Sequence, residues 1–405
     1  MSDNKHGDIQ YTQLPYTQLL YIHIYIHTHT IIPINHLMSN MKVSNIVETD
    51  NEMQFVLSGV DMCIANGLRR TMVGDVPSVV IKTMPNEKNQ VDITVNTTRF
   101  HNEIIKQRLS CVPIHITDLE TPLGQLVIEL DVENTTDEFM YVTTGDIKIK
   151  NNSTNQYVSA EDTGRIFPPN PQTGYHIDIA RLRPRITIDS PGERLAFTAR
   201  LSIGTPDENS MYNVLSTCCY GATQDPDKVA VAHKIKEQEL KDDGMPAADI
   251  VFEMKNWHLL DAQRICLPNS FDFAMKTVGV YSCKEVLKVA CDRIVDKLDG
   301  LIVLFKTDEV KIDSSTSTII NGYDVSIQNE DYTIGTLLQY LLYTLHYEGD
   351  QTMDFCGFKK FHPHDAFIMV RVGYKAETSK SVVSTNFIGA LNVARTMFLE
   401  IKNKF

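Results

Sequence analysis

Hydrophobic residues recur with helical spacing in two widely separated stretches of the chain. In the first stretch, Ile64, Leu68 and Met72 recur at every fourth position and share one face of a helix. The second stretch runs from Thr333 to Tyr347. Its apolar positions are Ile334, Leu337, Leu338, Leu341, Leu342 and Leu345. The two patterns predict amphipathic helices that each bury one face.

The elements around both helices repeat one plan of strand, helix, strands and terminal helix. The second copy of this plan spans about Leu304 to Phe405. Between Ile114 and Ser216, short β-like runs alternate with Gly, Pro, Asn and Asp, so a mostly β domain interrupts the first copy. The apolar face around Leu338 is wider than one thin sheet needs. We expect it to pack against the equivalent helix of the first copy.

These patterns predict an α+β fold in which two related domains form an intramolecular pseudo-dimer. A mostly β domain is inserted in the first of them. The expected divisions are a low-complexity leader at 1–40, a first domain at 41–113 plus 223–300, the inserted domain at 114–222 and the second domain at 301–405.

The composition limits the function of the chain. The 405 residues carry a net charge of −13, and phosphate binding needs a basic surface, so we expect no direct contact with nucleic acid. None of the eight cysteines forms a C-x-x-C pair, and no nucleotide-binding or catalytic motif occurs. We therefore expect no metal, no cofactor and no catalysis by this chain alone. A catalytic site assembled from distant residues stays open.

The first forty residues differ from the rest. Ile22, Ile24 and Ile26 alternate with His and Tyr residues, which fits a strand that presents imidazoles to a metal. The alternative is a low-complexity leader, expected to be disordered, with the true start at Met38 or Met41. The stretch holds too many polar residues for a membrane span, and we expect no membrane association.

A polar strip lies beside the apolar face of the first helix. Asn66, Arg69 and Arg70 share it by helical spacing. Charged helix faces are usually solvated. Arginine is enriched among the residues that dominate protein interfaces, so a binding surface is the alternative for this strip.

Several stretches resemble the α-type assembly subunits of cellular RNA polymerases. "IANGLRRTMVGDVPSVVI" is similar to the signature helix and strand of the bacterial α amino-terminal domain, the archaeal D subunit and the third-largest subunit of RNA polymerase II. "FDFAMKTVGVYSCKEVLKVACDRIVDKL" resembles the closing strand and helix of that domain. "NEDYTIGTLLQYLLYTL" and "FCGFKKFHPHDAFIMVRV" resemble the small partner, archaeal L or the eleventh subunit. The small-partner stretches keep an acidic-x-Thr-x-Gly helix start and a Gly-x-Lys…His-Pro turn.

The resemblance implies two dimerisation domains and a non-catalytic platform on which the two largest polymerase subunits and small docking subunits assemble. It implies that Asn66, Arg69 and Arg70 contact a large subunit. The dimerisation interface would combine Ile64, Leu68 and Met72 with Leu337, Leu338, Leu341, Leu342 and Leu345. A fusion of both subunit types resembles the arrangement in large nucleocytoplasmic DNA viruses. The protein would then be intracellular, and it would lie in the virion or in the host cytoplasm or nucleus.

The sequence departs from this family in the inserted domain. Residues 114–213 contain no cysteine, so the metal clusters of some relatives do not carry over. The loop "LSIGTPDENSMYNVLS" lacks the basic and aromatic residues of the family loop. Two other functions remain alternatives: a self-contained α+β enzyme with an unrecognised site, and a viral structural or metal-binding protein.

Overall fold

The computed structural model describes residues 40–185, 187 and 191–405. Both interpretations of the leader fall outside the described residues. The chain divides into two units, which we call the first unit (Lys42–Asp299 with Phe398–Phe405) and the second unit (Gly300–Met397). The last eight residues thus group with the first unit, although the repeat pattern assigned them to the second domain.

Seventeen strands occur in the described part of the chain. They are β1 (Lys42–Glu48), β2 (Glu52–Ser58), β3 (Ser78–Val80), β4 (Val91–Asn96), β5 (Leu126–Glu133), β6 (Met140–Thr143), β7 (Lys148–Asn151), β8 (Gln156–Tyr157), β9 (Asp178–Leu182), β10 (Arg194–Arg200), β11 (Ser202–Gly204), β12 (Leu215–Gln224), β13 (Cys266–Thr277), β14 (Lys311–Ser314), β15 (Gly322–Gln328), β16 (Met353–Lys359) and β17 (Phe367–Tyr374).

Eight α-helices occur in the same residues. They are α1 (Met62–Gly74), α2 (Asn102–Ser110), α3 (Ala160–Ile166), α4 (Pro226–Asp242), α5 (Ala247–Leu259), α6 (Cys283–Lys306), α7 (Tyr332–Leu342) and α8 (Lys380–Asn403). A π-helical turn at Tyr343–Gly349 follows α7 directly.

The first unit is organised around an antiparallel sheet of order β1-β2-β13-β12. Phe55 on β2 lies opposite Phe273 on β13, and their rings stack with centroids 4.9 Å apart. The ring of Phe405, from the chain's final residues, meets Phe55 edge-on at 4.8 Å. Stacked and edge-on ring pairs stabilise a core beyond the area they bury. This aromatic cluster therefore fixes the end of the chain to the central strands.

The inserted domain has its own five-stranded sheet, of order β4-β10-β5-β7-β8. Its core also takes residues from α2, namely Ile105 and Leu109. Because β4 pairs with β10, the inserted sheet begins before the expected boundary at 114. Because β12 pairs with β13 of the first sheet, that sheet resumes before the expected boundary at 222. Strand pairing thus moves both boundaries toward the amino terminus.

The charged stretch after β12 forms two helices, α4 and α5. Leu240, Ile250 and Met254 make a small core between them, with Met245 and Trp257 packed against it. The segment is therefore a helical hairpin with a small core of its own.

The second unit is built on an antiparallel sheet of order β14-β15-β17-β16. Asp331 caps α7 by accepting a hydrogen bond from the Thr333 amide at 2.8 Å. Phe358 on β16 packs directly over Gly335 of α7, where a β-carbon would overlap its ring. The acidic-x-Thr-x-Gly start therefore combines a helix cap with a close helix–strand contact.

Helix α8 is long and apolar enough to cross a membrane by length and composition alone. Half of the relevant window is buried inside the protein. In the second unit, Phe387 of α8 stacks on Phe305 at 5.2 Å, and the Ser384 hydroxyl donates to the Phe305 carbonyl at 3.1 Å. This burial is typical of a core helix.

Replacing Gly335 with alanine tests the contact with Phe358. We expect Gly335→Ala to lower the free energy of unfolding by about 1–3 kcal/mol, because the methyl group forces the ring or the helix to move. Gly389→Ala is the control in the same unit, since nothing lies within 4 Å of its β-carbon position. We expect the control to raise stability by about 0.4–1 kcal/mol. Chemical denaturation of both variants measures the difference, and equal stabilities would contradict the contact.

Candidate functional site

Helix α1 is held at both ends by the rest of the first unit. The Asp61 carboxylate accepts the Cys63 amide at 2.8 Å and begins the helix. At the other end, Lys297 of α6 donates to the Asp75 carboxylate at 2.9 Å. The Tyr281 hydroxyl donates to the Pro77 carbonyl at 3.0 Å just beyond the helix. These contacts leave α1 little freedom to rotate or shift.

The apolar face of α1 is fully buried. Ile64, Leu68 and Met72 have 0% exposed surface. Burying a side chain of this size stabilises a fold by about 1.5–3 kcal/mol. The orientation of the helix is therefore fixed, and the opposite strip is presented outward.

The polar strip of α1 is the place where the sequence located Asn66, Arg69 and Arg70. Asn66 and Arg69 are half-buried and Arg70 is exposed. The Arg69 Nε donates to the Asn66 Oδ1 at 3.1 Å, which aligns the guanidinium along the helix. Met62, one helical turn before Asn66, is 60% exposed and extends the strip. Sequence reasoning missed Met62, although the same four-residue spacing would have found it.

The strip of α1 continues toward the edge strand β12. Helix α1 packs against β12, which ends the sheet on that side. Burial raises the pKa of the Cys218 thiol on β12 to about 12, while the positive charge of Arg69 opposes this rise. Arg69 therefore acts electrostatically on β12. The neighbouring Cys219 is exposed, so the edge strand adds open surface beside the strip.

The residues predicted for the dimerisation interface in the second unit lie on one face of α7 and the turn after it. Leu337, Leu338, Leu341 and Leu342 are at most 1% exposed, and Leu345 is 3% exposed. The helical period therefore identified buried positions. Their pairing with α1 stays a prediction.

A family model described as the RNA polymerase Rpb3/Rpb11 dimerisation domain matches residues 54–298. This match takes in α1, the inserted domain and most of α6. The chain belongs to this family. The resemblance noted in the signature helix is thereby confirmed, and the chain is an α-type subunit of a DNA-directed RNA polymerase.

Individual relatives agree with the family. The DNA-directed RNA polymerase subunit Rpo3 of Pyrococcus furiosus is 23% identical over 282 residues, which cover 65% of this chain and 97% of the relative. The RNA polymerases I and III subunit rpac1 of Dictyostelium discoideum is 28% identical over 175 residues, covering 38% of this chain and 47% of the relative. RNA polymerase II subunit RPB3 of Schizosaccharomyces pombe is 31% identical over 72 residues, covering 18% and 22%.

Thiol labelling tests the position of Arg69 against Cys218. We expect Arg69→Gln to slow alkylation of Cys218 roughly two- to tenfold at mildly alkaline pH, because the lost positive charge raises the thiol pKa and lowers the thiolate fraction. Mass spectrometry of iodoacetamide adducts over time measures the rate at each cysteine.

Two other cysteines serve as internal controls for this labelling. Cys111 is exposed, and burial raises the pKa of Cys356 to about 12 in the second unit. Both rates should stay unchanged in the variant. A Cys218 rate equal to that of the parent protein would place Arg69 away from β12.

Proposed function

We propose that the chain is a non-catalytic assembly platform of a multisubunit DNA-directed RNA polymerase, on which the two largest subunits dock. The observation that carries the proposal is the family match over residues 54–298, since this range holds α1 with its outward strip. The chain would then support transcription by holding the catalytic subunits in position. The nucleotidyl transfer itself belongs to those partners.

The polar strip of α1 is the proposed contact with a large subunit. Arginine pairs with carboxylates through two parallel hydrogen bonds, and a guanidinium already aligned loses less entropy when it binds. Asn66 provides that alignment for Arg69. The buried face of α1 prevents the helix from turning the strip away. Together these features favour a specific protein contact over a solvated face.

The second unit is proposed to act as the eleventh-subunit-like partner of the first, joined to it in one chain. The apolar face of α7 would pair with that of α1, which makes the chain an intramolecular pseudo-dimer. Covalent linkage raises the effective concentration of the two partners and removes the need for a separate association step. A fusion of this kind fits a large nucleocytoplasmic DNA virus.

The proposed location follows from the proposed role. The chain would act inside cells wherever its polymerase transcribes, in the virion, or in the host cytoplasm or nucleus. Small docking subunits would join it there.

Charge reversal on α1 tests large-subunit docking. We expect Arg69→Glu with Arg70→Glu to leave the fold intact and to reduce co-purification of one large subunit by at least about tenfold, because carboxylates would then face carboxylates. Affinity capture of the tagged chain from producing cells at high salt, followed by quantitative mass spectrometry, measures the recovery.

The matched control is Lys255→Glu with Arg264→Glu, which changes the net charge equally at exposed positions of the helical hairpin and the turn after it. It should retain both large subunits. Unchanged recovery with the α1 variant, or an equal loss with the control, would refute docking at this strip.

A buried charge on α7 tests the proposed pairing. We expect Leu338→Asp to lower the free energy of unfolding by at least about 3 kcal/mol and to increase protease cleavage, because the carboxylate has no buried partner. Thr336→Asp is the control, since Thr336 is exposed on the same helix. Unaltered melting and protease resistance of Leu338→Asp would contradict a shared core.

A further inference from the structure

The inserted domain carries an exposed surface of arginines and aromatic rings on the two-stranded ribbon of β6 and β9. We call it the arginine–aromatic face and define it by Phe100, Phe139, Tyr141, Arg108 and Arg181. Phe139 and Tyr141 are 56% and 54% exposed. A single exposed ring is ordinary on a protein surface, whereas several exposed rings grouped with arginines indicate a binding surface.

The register of the ribbon brings these side chains together. Tyr141 on β6 lies directly opposite Arg181 on β9. The Arg181 guanidinium lies over the Phe139 ring, 4.7 Å from its centroid. On the opposite side of the ribbon, Leu182 is fully buried. Successive residues of a strand point to opposite faces, so Arg181 is exposed where Leu182 enters the core.

Helix α2 adds a second arginine beside strand β9. The Arg108 Nη2 donates to the Asp178 carbonyl of β9 at 2.6 Å. Its guanidinium also lies over the Phe100 ring at 5.5 Å. Arg108 is thus held by a ring and by the backbone, Arg181 is held by a ring, and both residues are exposed. A guanidinium held in this way loses less entropy when it pairs.

The charges of these two arginines are not neutralised within the described chain. The neighbouring Arg183 pairs with Glu193, and Arg185 pairs with Asp137 at 3.0 Å. Across residues 40–185, 187 and 191–405, neither Arg108 nor Arg181 forms an ion pair with a carboxylate. In a chain of net charge −13, two such arginines beside open rings form a local site for negative charge.

We propose that the arginine–aromatic face binds an acidic, aromatic-containing segment of a partner protein. Carboxylates would pair with Arg108 and Arg181, and apolar side chains would lie on Phe139 and Tyr141. Arginine and tyrosine are the residue types that dominate protein–protein binding energies. Single-stranded nucleic acid is a poorer fit, because it needs several cations along a groove and this face offers two arginines.

This surface does not depend on the platform role of α1. It lies in the inserted domain, and its residues are separate from the polar strip of α1. Loss of binding at the arginine–aromatic face should leave capture of the large subunits unchanged, so the two proposals fail independently.

Fluorescence anisotropy on the full chain tests the inference. The probe is a fluorescein-labelled peptide of alternating Glu and Phe, compared with the same peptide carrying Gln in place of Glu and with labelled oligodeoxythymidylate. We expect saturable binding of the acidic peptide, at least about tenfold tighter than that of either comparison probe. Arg108→Glu with Arg181→Glu should weaken it by at least about tenfold. Phe139→Ser should weaken it several-fold.

The matched control is Arg165→Glu with Arg264→Glu, which reverses two exposed arginines elsewhere in the first unit that pair with nearby carboxylates. It should bind the acidic peptide as the parent protein does. Circular dichroism of every variant verifies folding. The inference is overturned by absence of saturable peptide binding, by an equal loss in the control, or by tighter binding of the oligonucleotide.

Discussion

The structure of the first unit depends on the burial of one face of α1. Ile64, Leu68 and Met72 exclude water completely, and this burial decides which side of the helix is presented outward. The cap at Asp61 and the ion pair between Asp75 and Lys297 then fix its length and position. A helix anchored by its core face can offer a polar strip without becoming unstable, because its stability does not depend on the strip. The residues that fold the unit and the residues proposed to bind are therefore separated on one helix.

Burial of one helix face also organises the second unit. The face of α7 is apolar and buried, while Gly335 lets Phe358 approach the helix closely. The Thr-x-Gly segment is thus explained by packing, since a larger residue would separate helix and strand. At the other end of the chain, Phe405 contacts the stacked pair of Phe55 and Phe273. The final residues consequently complete the core of the first unit.

The inserted domain is a separate folding element with its own sheet and core. Among its described residues, Arg181 of the outward ribbon has no carboxylate partner, whereas the neighbouring Arg183 and Arg185 are neutralised by Glu193 and Asp137. This difference between neighbouring arginines is the physical reason to assign binding to a particular face. The acidic balance of the whole chain makes such a local positive site more selective, because negatively charged partners are repelled elsewhere.

The sequence by itself determined the helices α1 and α7 with their buried faces, and the α-type family to which the chain belongs. Periodicity is a local property, so it can be recognised from neighbouring residues. Only the tertiary structure decided which sheet holds β4 and β12, because strand pairing joins residues that are far apart in the chain. For the same reason the sequence could not place Arg181 beside Phe139 and Tyr141, nor Arg69 near Cys218. Those neighbours are set by register and by the packing of helix on sheet, which no local pattern encodes.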